Sequence, residues 1–323
     1  MELTKTEAKT ICKEYNLGEF KSLKHFSGGS INENYDLKTS KGNFVIKMLS
    51  INKETRIWLE KQLELEVKVL DFIIKNKFEY KVIEPLRNRK GRILSEINNQ
   101  KLWLYRKIEG SVDKEITKEK TNEEIRCIAK YHRLISKFKH KEKKNDGSWF
   151  FKKYEEMKKV PINNSTDRLM IENLPEFEKI LKAMLKIKFR GKEMVIIHRD
   201  FHFGNLLLDK GKIKGIIDFD NVEYAPKISD LAMIIRDNCI NKEKFDMGKL
   251  KEIIKEYEKS NKLTKRERKR IYYSPLMFLC DKFWFNYLYY KNDLKKQKTK
   301  IEEIVKKKNI ILKEFGGKIK WQE

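Results

Sequence analysis

The chain opens with a helical pattern. Leu3 to Tyr15 repeats its apolar positions at helical spacing, with Thr4 as N-cap and Glu7 three residues on. Strand-like runs follow. Phe20 to Phe26 and Asn34 to Thr39 read as strands flanking Ser27-Gly28-Gly29-Ser30. After a Lys41-Gly42 turn, Asn43 to Leu49 forms an apolar strand interrupted by one lysine, Lys47. Ile57 to Lys75 returns to helical spacing. Tyr80 to Pro85, Arg92 to Ile97 and Lys101 to Ile108 predict three more strands.

Beyond residue 108 the pattern is mostly helical. Asn122 to Phe138 places Ile125, Ile128, Ala129, His132 and Ile135 on one face, where His132 reads as a core histidine. Trp149 to Met157 and Leu174 to Phe189 predict helices around a polar connection at Pro161 to Asp167. Then comes a short β unit. Val195 to Ile197 is an apolar β-branched run, His198 to Asn205 a polar loop, and Leu206 to Leu208 a second strand. Asp209-Lys210-Gly211-Lys212 is a turn signal, and Ile213 to Ile217 a third strand. Asp230-Leu231-Ala232 opens a helix that Asp230 is expected to cap while tying the preceding loop down. Lys249 to Ile311 is helical. Thr264 caps Lys265 to Tyr273, Pro275 is expected to break that helix, and Leu276 to Tyr290 continues it with many aromatics. The class this predicts is α+β, a small β-rich part before a larger, mainly helical one.

Composition narrows the function. With 323 residues, 40% hydrophobic and 11% aromatic, the chain can bury one large or two modest cores. No run of about 18 apolar residues predicts a membrane span, and the polar start is unlike a signal peptide. Cys12, Cys127, Cys239 and Cys280 are scattered without a Cys-x-x-Cys pair, which fits a reducing cytoplasm and no zinc site. The net charge of +26 would attract anions. Its lysines are interleaved with glutamates, as on solvated helix faces, and no nucleic-acid motif is legible.

The chemistry concentrates between Val195 and Asp220. Asp200, Asn205 and Asp218 stand at strand ends on one small β scaffold. Phosphoryl transfer asks for such a set: a carboxylate to position and deprotonate a hydroxyl, and hard oxygen ligands for Mg²⁺ on nucleotide phosphates. His198-Arg199-Asp200, four residues, then Asn205 matches the catalytic-loop signature of kinases, and Asp218-Phe219-Asp220 stands where a kinase has its metal-binding Asp-Phe-Gly. The turn at Ser27, Gly28, Gly29 and Ser30 lets backbone N–H groups approach an anion. Lys47, inside an apolar strand, needs an anionic partner.

On His198, Asp200, His202, Gly204, Asn205 and the later Ile217-Asp218-Phe219, the chain resembles the aminoglycoside phosphotransferase/choline kinase superfamily, the small-molecule branch of the protein-kinase-like fold. It departs from that pattern at Arg199, where glycine is usual, and at Phe203, where proline is frequent; neither removes a chemical group. The resemblance implies a bilobal kinase-like fold, with residues 1–108 as a nucleotide-binding lobe and 109–323 as a catalytic and acceptor-binding lobe. It implies ATP and Mg²⁺ as cofactors. Asp200 would be the catalytic base, with Asn205 and Asp218 on the metal. Lys47 would meet the phosphates, oriented by Glu66, with Glu64 as the other choice. Tyr105 to Ile108 would meet the adenine. The short loop after Asp218 favours a small hydroxylated acceptor over a peptide. The segments from Gly28 to Leu49 and Leu263 to Lys291 are similar to type II homoserine kinases, and Asp281, among aromatics, is a candidate partner for an acceptor ammonium. A non-catalytic kinase-fold scaffold and an RNA-associated protein are the competing readings.

Overall fold

Thr4 starts the first helix through its side chain. Its hydroxyl accepts from the Glu7 N–H at 3.2 Å, and the Glu7 carboxylate accepts from the Thr4 N–H at 2.7 Å. This capping box satisfies two donors that a helix N-terminus leaves open. The computed structural model describes residues 3–26, 32–50, 53–112, 115, 117–140, 148–241 and 243–319. Helix α1 (Lys5–Glu14) precedes strands β1 (Phe20–His25), β2 (Glu33–Thr39) and β3 (Gly42–Met48), then helix α2 (Lys53–Lys75), β4 (Lys81–Val82), β5 (Ser95–Ile97) and β6 (Gln100–Arg106). Five of these strands form one antiparallel sheet in the order β1-β2-β3-β6-β5.

The two-residue period of β3 decides where Lys47 goes. Phe44, Ile46 and Met48 point to one face, where they pack with Ala8, Ile11 and Cys12 of α1 and Leu102 and Leu104 of β6. Fully burying a side chain such as Ile46, Leu102 or Leu104 contributes roughly 1.5–3 kcal/mol. Val45 and Lys47 point the other way, opposite Tyr105 and Trp103. Lys47 is thus 5% exposed, with its ammonium 5.8 Å from the centre of the Trp103 ring. Helix α2 reaches the same face, since Leu59, Leu63 and Glu66 line a small cavity with Trp103.

Helix α3 (Lys118–Ile135) begins four residues before the expected Asn122, because Thr117 caps it by accepting from the Lys120 N–H. Helices α4 (Ser148–Lys158) and α5 (Ser165–Leu185) follow. Helix α5 starts well before the expected Leu174: Asn164 and Asp167 form a capping box, and Pro175 is accommodated inside the helix. Strand β7 (Met194–Ile197) is buried throughout. Strands β8 (Leu206–Asp209) and β9 (Lys212–Ile216) form a hairpin whose central residues, Lys210 and Gly211, have φ of 49° and 76°. Two positive φ values match the twist of a tight hairpin. Strand β9 also pairs in parallel with β4, through Lys81–Gly215 and Val82–Ile216.

Strand β10 (Glu223–Pro226) pairs antiparallel with β7, and helices α6 (Ala232–Cys239), α7 (Met247–Glu258), α8 (Lys265–Lys269), α9 (Tyr273–Tyr289) and α10 (Leu294–Phe315) complete the chain. The break expected at Pro275 falls elsewhere: α8 ends at Lys269, and Pro275 lies in the first turn of α9. A first-turn residue has no intrahelical acceptor for its N–H, so proline costs little there. The chain divides into two compact units, Met1–Ile116 with Phe203–Val222, and Thr117–His202 with Glu223–Glu323. A single boundary after residue 108 therefore differs from the observed division: the β4–β9 pairing brings the hairpin back to the first unit.

Candidate functional site

The first unit holds a buried charge cluster. The register of the β8–β9 hairpin pairs Leu206 with Ile216, and one step outward Ile217 N–H donates to the Asn205 carbonyl at 3.0 Å. Asn205 and Asp218 therefore leave the same end of the hairpin side by side. Asp218 has a φ of 65°, a left-handed conformation uncommon for aspartate. The Lys47 ammonium donates to Asp218 Oδ1 at 2.9 Å and also pairs with Asp220. Asp220 accepts a further bond from Asn32 Nδ2 at 2.8 Å. Burial works against the Lys47 ammonium, but Asp220, Asp218 and Glu66 outweigh it and hold its pKa well above the usual lysine value. Burial, partly offset by Lys47, lifts the Asp220 carboxyl to about 6.

Lys47 has two hydrogen-bonded partners besides the expected glutamate, whose charge also acts on it. Glu66 lies on the right face of α2 and is buried, whereas Glu64 is exposed. Yet the ion pairs of Lys47 are with Asp218 and Asp220. Among the described residues Glu66 Oε1 has no hydrogen-bond partner. Burial first, then the neighbouring Asp220 carboxylate, push the Glu66 carboxyl well above its ordinary range despite the pull of Lys47. Asp220 was not singled out from the sequence. The signal was present: Phe219, fully buried, separates two acids that share one lysine.

The other positions expected to meet a nucleotide are divided. Ser27, Gly28, Gly29 and Ser30 lie outside the described residues. Tyr105 is half-buried on the Lys47 face, and burial raises its hydroxyl above the usual tyrosine value. Ile108 is buried against Gly215 of β9, so close that a Cβ there would come within 2.9 Å of Ile108 Cγ2. Lys47, Glu66, Tyr105, Asn205 and Asp218 all belong to this first unit.

Asp200 belongs to the second unit, on the loop after β7. Burial opposes its ionisation, but the hydrogen bond and charge of His202, with Lys282 and His198, prevail and hold the carboxyl down at about 2. Asp200 is thus a carboxylate throughout the physiological range. The loop around it is fixed from below. Asp230 Oδ2 accepts from the His198 N–H at 2.8 Å, and Oδ1 accepts from the Arg199 N–H at 2.7 Å. His132 Nε2 lies 2.9 Å from Asp230 Oδ2, and His132 Nδ1 lies 2.8 Å from the Tyr257 hydroxyl. The His132 and Asp230 side chains are fully buried. With Nε2–H donating to the carboxylate, Tyr257 donates to Nδ1 and itself accepts from Asn261 Nδ2 at 3.2 Å. Asp230 ties the loop down as expected but caps no helix; α6 has no side-chain cap.

Arg199 has a φ of 68°. The usual glycine at this position is explained by that backbone, and the arginine here adopts it with its N–H clamped by Asp230. Its guanidinium lies 3.5 Å from Glu223 and 3.5 Å from Asp281, over the Trp149 ring. Asp281 also accepts from Trp284 Nε1 at 3.0 Å. A larger groove of about 530 Å³ lies apart, with Leu169, Glu302, Val305 and Lys313 among its walls, and contains none of these residues.

Among the described residues no three His, Cys, Asp or Glu side chains are grouped to hold a metal ion. Mg²⁺ does not need three: it takes one or two protein carboxylates and completes its shell with phosphate and water. Asp218 and Asn205, whose backbones leave the same end of the hairpin, offer a carboxylate and an amide oxygen of that kind, and the residue types fit. No helix among the described residues is long and apolar enough to cross a membrane.

Comparison with known proteins gives the fold and the family. A homoserine kinase of Neisseria meningitidis serogroup B is 25% identical over 286 residues, covering 87% of this chain and 88% of its own. The solved structure of amicoumacin kinase hAmiN, in complex with AMP-PNP, Ca²⁺ and Ami, superposes with a TM-score of 0.70 at 15% identity, over 97% of this chain and 94% of that one. A microcompartment-associated aminopropanol kinase does so with a TM-score of 0.68 at 12% identity, over 97% and 99%. The fold is therefore the α+β kinase-like one, a β-sheet N-terminal region and a helical C-terminal region. The model of the phosphotransferase enzyme family matches residues 22–260, and the chain, a small-molecule kinase, belongs to that family.

Proposed function

We propose that the protein transfers the γ-phosphoryl group of ATP to a hydroxyl of a small molecule, in a Mg²⁺-dependent reaction. Homoserine is the acceptor to test first, with choline, ethanolamine, sugars and aminoglycosides behind it. The observation that carries the reading is the segment from His198 to Asp220. It presents an ionised aspartate, Asp200, and then the adjacent oxygen donors Asn205 and Asp218 beside a charged, buried lysine.

In this reaction Lys47 positions the phosphates by charge. Asn205 and Asp218 would hold Mg²⁺, which when bound neutralises charge on the transferring group. Asp200 orients the acceptor hydroxyl and takes its proton as the phosphoryl group moves in line. A carboxyl held at about 2 is a weak base, so its contribution is mainly positional; proton transfer comes late in a loose transition state. Asp220, sharing Lys47 with Asp218, fixes the lysine from the other side. The neighbouring lysine–glutamate pairs along single helices, such as Lys307–Glu303 and Lys153–Glu156, support a solvated role for the high positive charge rather than a nucleic-acid one.

The test is a coupled ADP-release assay with ATP, Mg²⁺ and the acceptor panel, run beside Asp200→Asn. Turnover on one acceptor that falls by at least about 10³-fold in the variant, with nucleotide affinity nearly unchanged, is the expected result. Full activity in Asp200→Asn removes Asp200 from the mechanism. Tight ATP binding without turnover on any acceptor favours the scaffold reading.

A further inference from the structure

Phosphoryl transfer to a hydroxyl frees a proton, and Asp200 is poorly suited to keep it. With its carboxyl held at about 2, Asp200 gives a proton back more readily than an ordinary carboxyl does. A late proton transfer is only as favourable as the group that finally holds the proton.

His202, Lys282 and His198 all act on the Asp200 carboxyl. They differ in what each can do with a proton. The Lys282 ammonium has three donors and no acceptor, so it favours the ionised carboxylate but receives nothing. The His198 ring is fully buried, with its centre 5.7 Å from that of Phe201, and has no opening through which to pass a proton to water. His202 differs from both. Its Nε2 lies 3.8 Å from Asp200 Oδ2, and its side chain is 34% exposed. Imidazole is the side-chain base that both accepts and releases a proton near neutral pH. In the Nδ1–H tautomer its Nε2 lone pair is available to Asp200.

The spacing of the two groups has a fixed support. They stand two positions apart on the loop whose His198 and Arg199 N–H groups are held by Asp230 at 2.8 and 2.7 Å. At 3.8 Å the pair is just outside hydrogen-bonding range, and both side chains are partly open, so a small rotation of either one closes it. Catalytic hydrogen bonds are often long before substrate arrives and tighten in the complex.

We propose that His202 is the proton relay of this loop: Asp200 takes the proton of the acceptor hydroxyl and hands it to His202 Nε2, which releases it to solvent. The proposal rests on the kinase reading above and deepens it. The step balances. The acceptor oxygen bonds to the γ-phosphorus, the bond from that phosphorus to the β–γ bridging oxygen breaks, and its electron pair leaves with ADP. The hydroxyl proton passes to Asp200 Oδ2 and then to the neutral imidazole. The resulting imidazolium loses that proton to water before the next turnover, and nothing is oxidised or reduced.

The experiment is a single-turnover measurement of phosphoryl transfer from γ-labelled ATP to the acceptor that wild type uses, at mildly alkaline pH. His202→Gln should slow the step at least about tenfold while ATP affinity stays within about twofold of wild type. His202→Lys supplies a fixed cation that cannot relay, and should be slowed as much. In His202→Ala, added imidazole should raise the rate at least about fivefold, and 1,2,4-triazole, of the same shape and far weaker basicity, should not. A structural role does not track the basicity of the added azole. A His202→Gln rate within about twofold of wild type overturns the relay, as does His202→Lys at the wild-type rate, which makes His202 a fixed charge only. Rescue by both azoles or by neither also overturns it. If His202→Ala fails to fold, the Gln and Lys variants decide. All these outcomes leave the kinase reading standing. A wild type that phosphorylates no acceptor overturns the kinase reading, and the relay with it.

Discussion

Replacing Asp230 should damage both stability and turnover, and the hydrogen bonds give the scale. The carboxylate is fully buried and faces three donors: the His198 and Arg199 backbone N–H groups and His132 Nε2. In Asp230→Asn one oxygen becomes an NH₂ group. His132 can answer by exchanging tautomers, since Nδ1–H can then donate to Tyr257. A backbone N–H cannot exchange roles, so one of the two is left facing a donor. A buried donor without an acceptor costs about 1–3 kcal/mol, which sets the expected loss for Asp230→Asn at about 2 kcal/mol. Asp230→Ala abandons all three donors and leaves a void, for an expected loss of about 4 kcal/mol. The same two N–H groups hold the left-handed turn that aims Asp200. A displacement of about 1 Å in a reacting group costs on the order of 10²-fold in rate, and kcat should fall by that order in Asp230→Asn. Urea unfolding followed by circular dichroism and a steady-state ADP-release assay measure the two effects. Stability within about 0.5 kcal/mol of wild type, together with unchanged kcat, would refute the assignment of Asp230 as the anchor of the loop.

Two further outcomes are expected. Burial, with Asp237 nearby, raises the Glu124 carboxyl from 4.5 to about 8, so the folded state holds this proton more tightly than the unfolded state. Its contribution to stability is complete below about pH 4.5 and is lost as pH rises through about 8. Glu124→Gln should remove at least about 1.4 kcal/mol of that loss, one pKa unit's worth, between urea midpoints near pH 6 and pH 9; identical pH dependence in the two proteins would discard the assignment. In Gly215→Ala the new Cβ meets Ile108 Cγ2 at 2.9 Å and the Lys81 carbonyl at 3.2 Å. The overpacking should cost about 1–3 kcal/mol and weaken nucleotide binding by displacing Ile108. Wild-type nucleotide affinity in a fluorescence titration would take Ile108 out of the adenine contact.

The legible parts of this chain were those whose signal is local. Thr4 and Glu7 are three residues apart, and both halves of their capping box form. The strand around Lys47 declares itself by alternation, and the lysine emerges on the face the alternation assigns. Asn205 and Asp218 come to the same end of one hairpin because a tight local turn carries them. What stayed hidden was the choice among partners remote in sequence. Glu66 sits where the helical pattern puts it and its charge acts on Lys47, while the ammonium is hydrogen-bonded to Asp218 and Asp220. Asp230 looked like a cap because it precedes a helix; its acceptors are directed to backbone donors more than thirty positions earlier. Pro275 misleads about a boundary because proline's penalty depends on its place in a helix, which composition does not display.

The parallel pairing of β4 with β9 also dictates an order of synthesis. By the time Arg106 has been made, a nascent chain holds all five strands of the antiparallel sheet and the helix that covers one face. Strand β4 then has a hydrogen-bonding edge whose partner has not been translated. Three long helices and β7 must be made first. During that interval Ile108, buried in the finished protein, lacks the cover of Gly215 in β9, and an open strand edge beside an apolar side chain invites pairing with other chains. The hairpin that ends this exposure is the one that brings Asn205 and Asp218. Translation therefore completes the first unit and delivers Asn205 and Asp218 at the same moment, and a chain stopped before residue 203 lacks both.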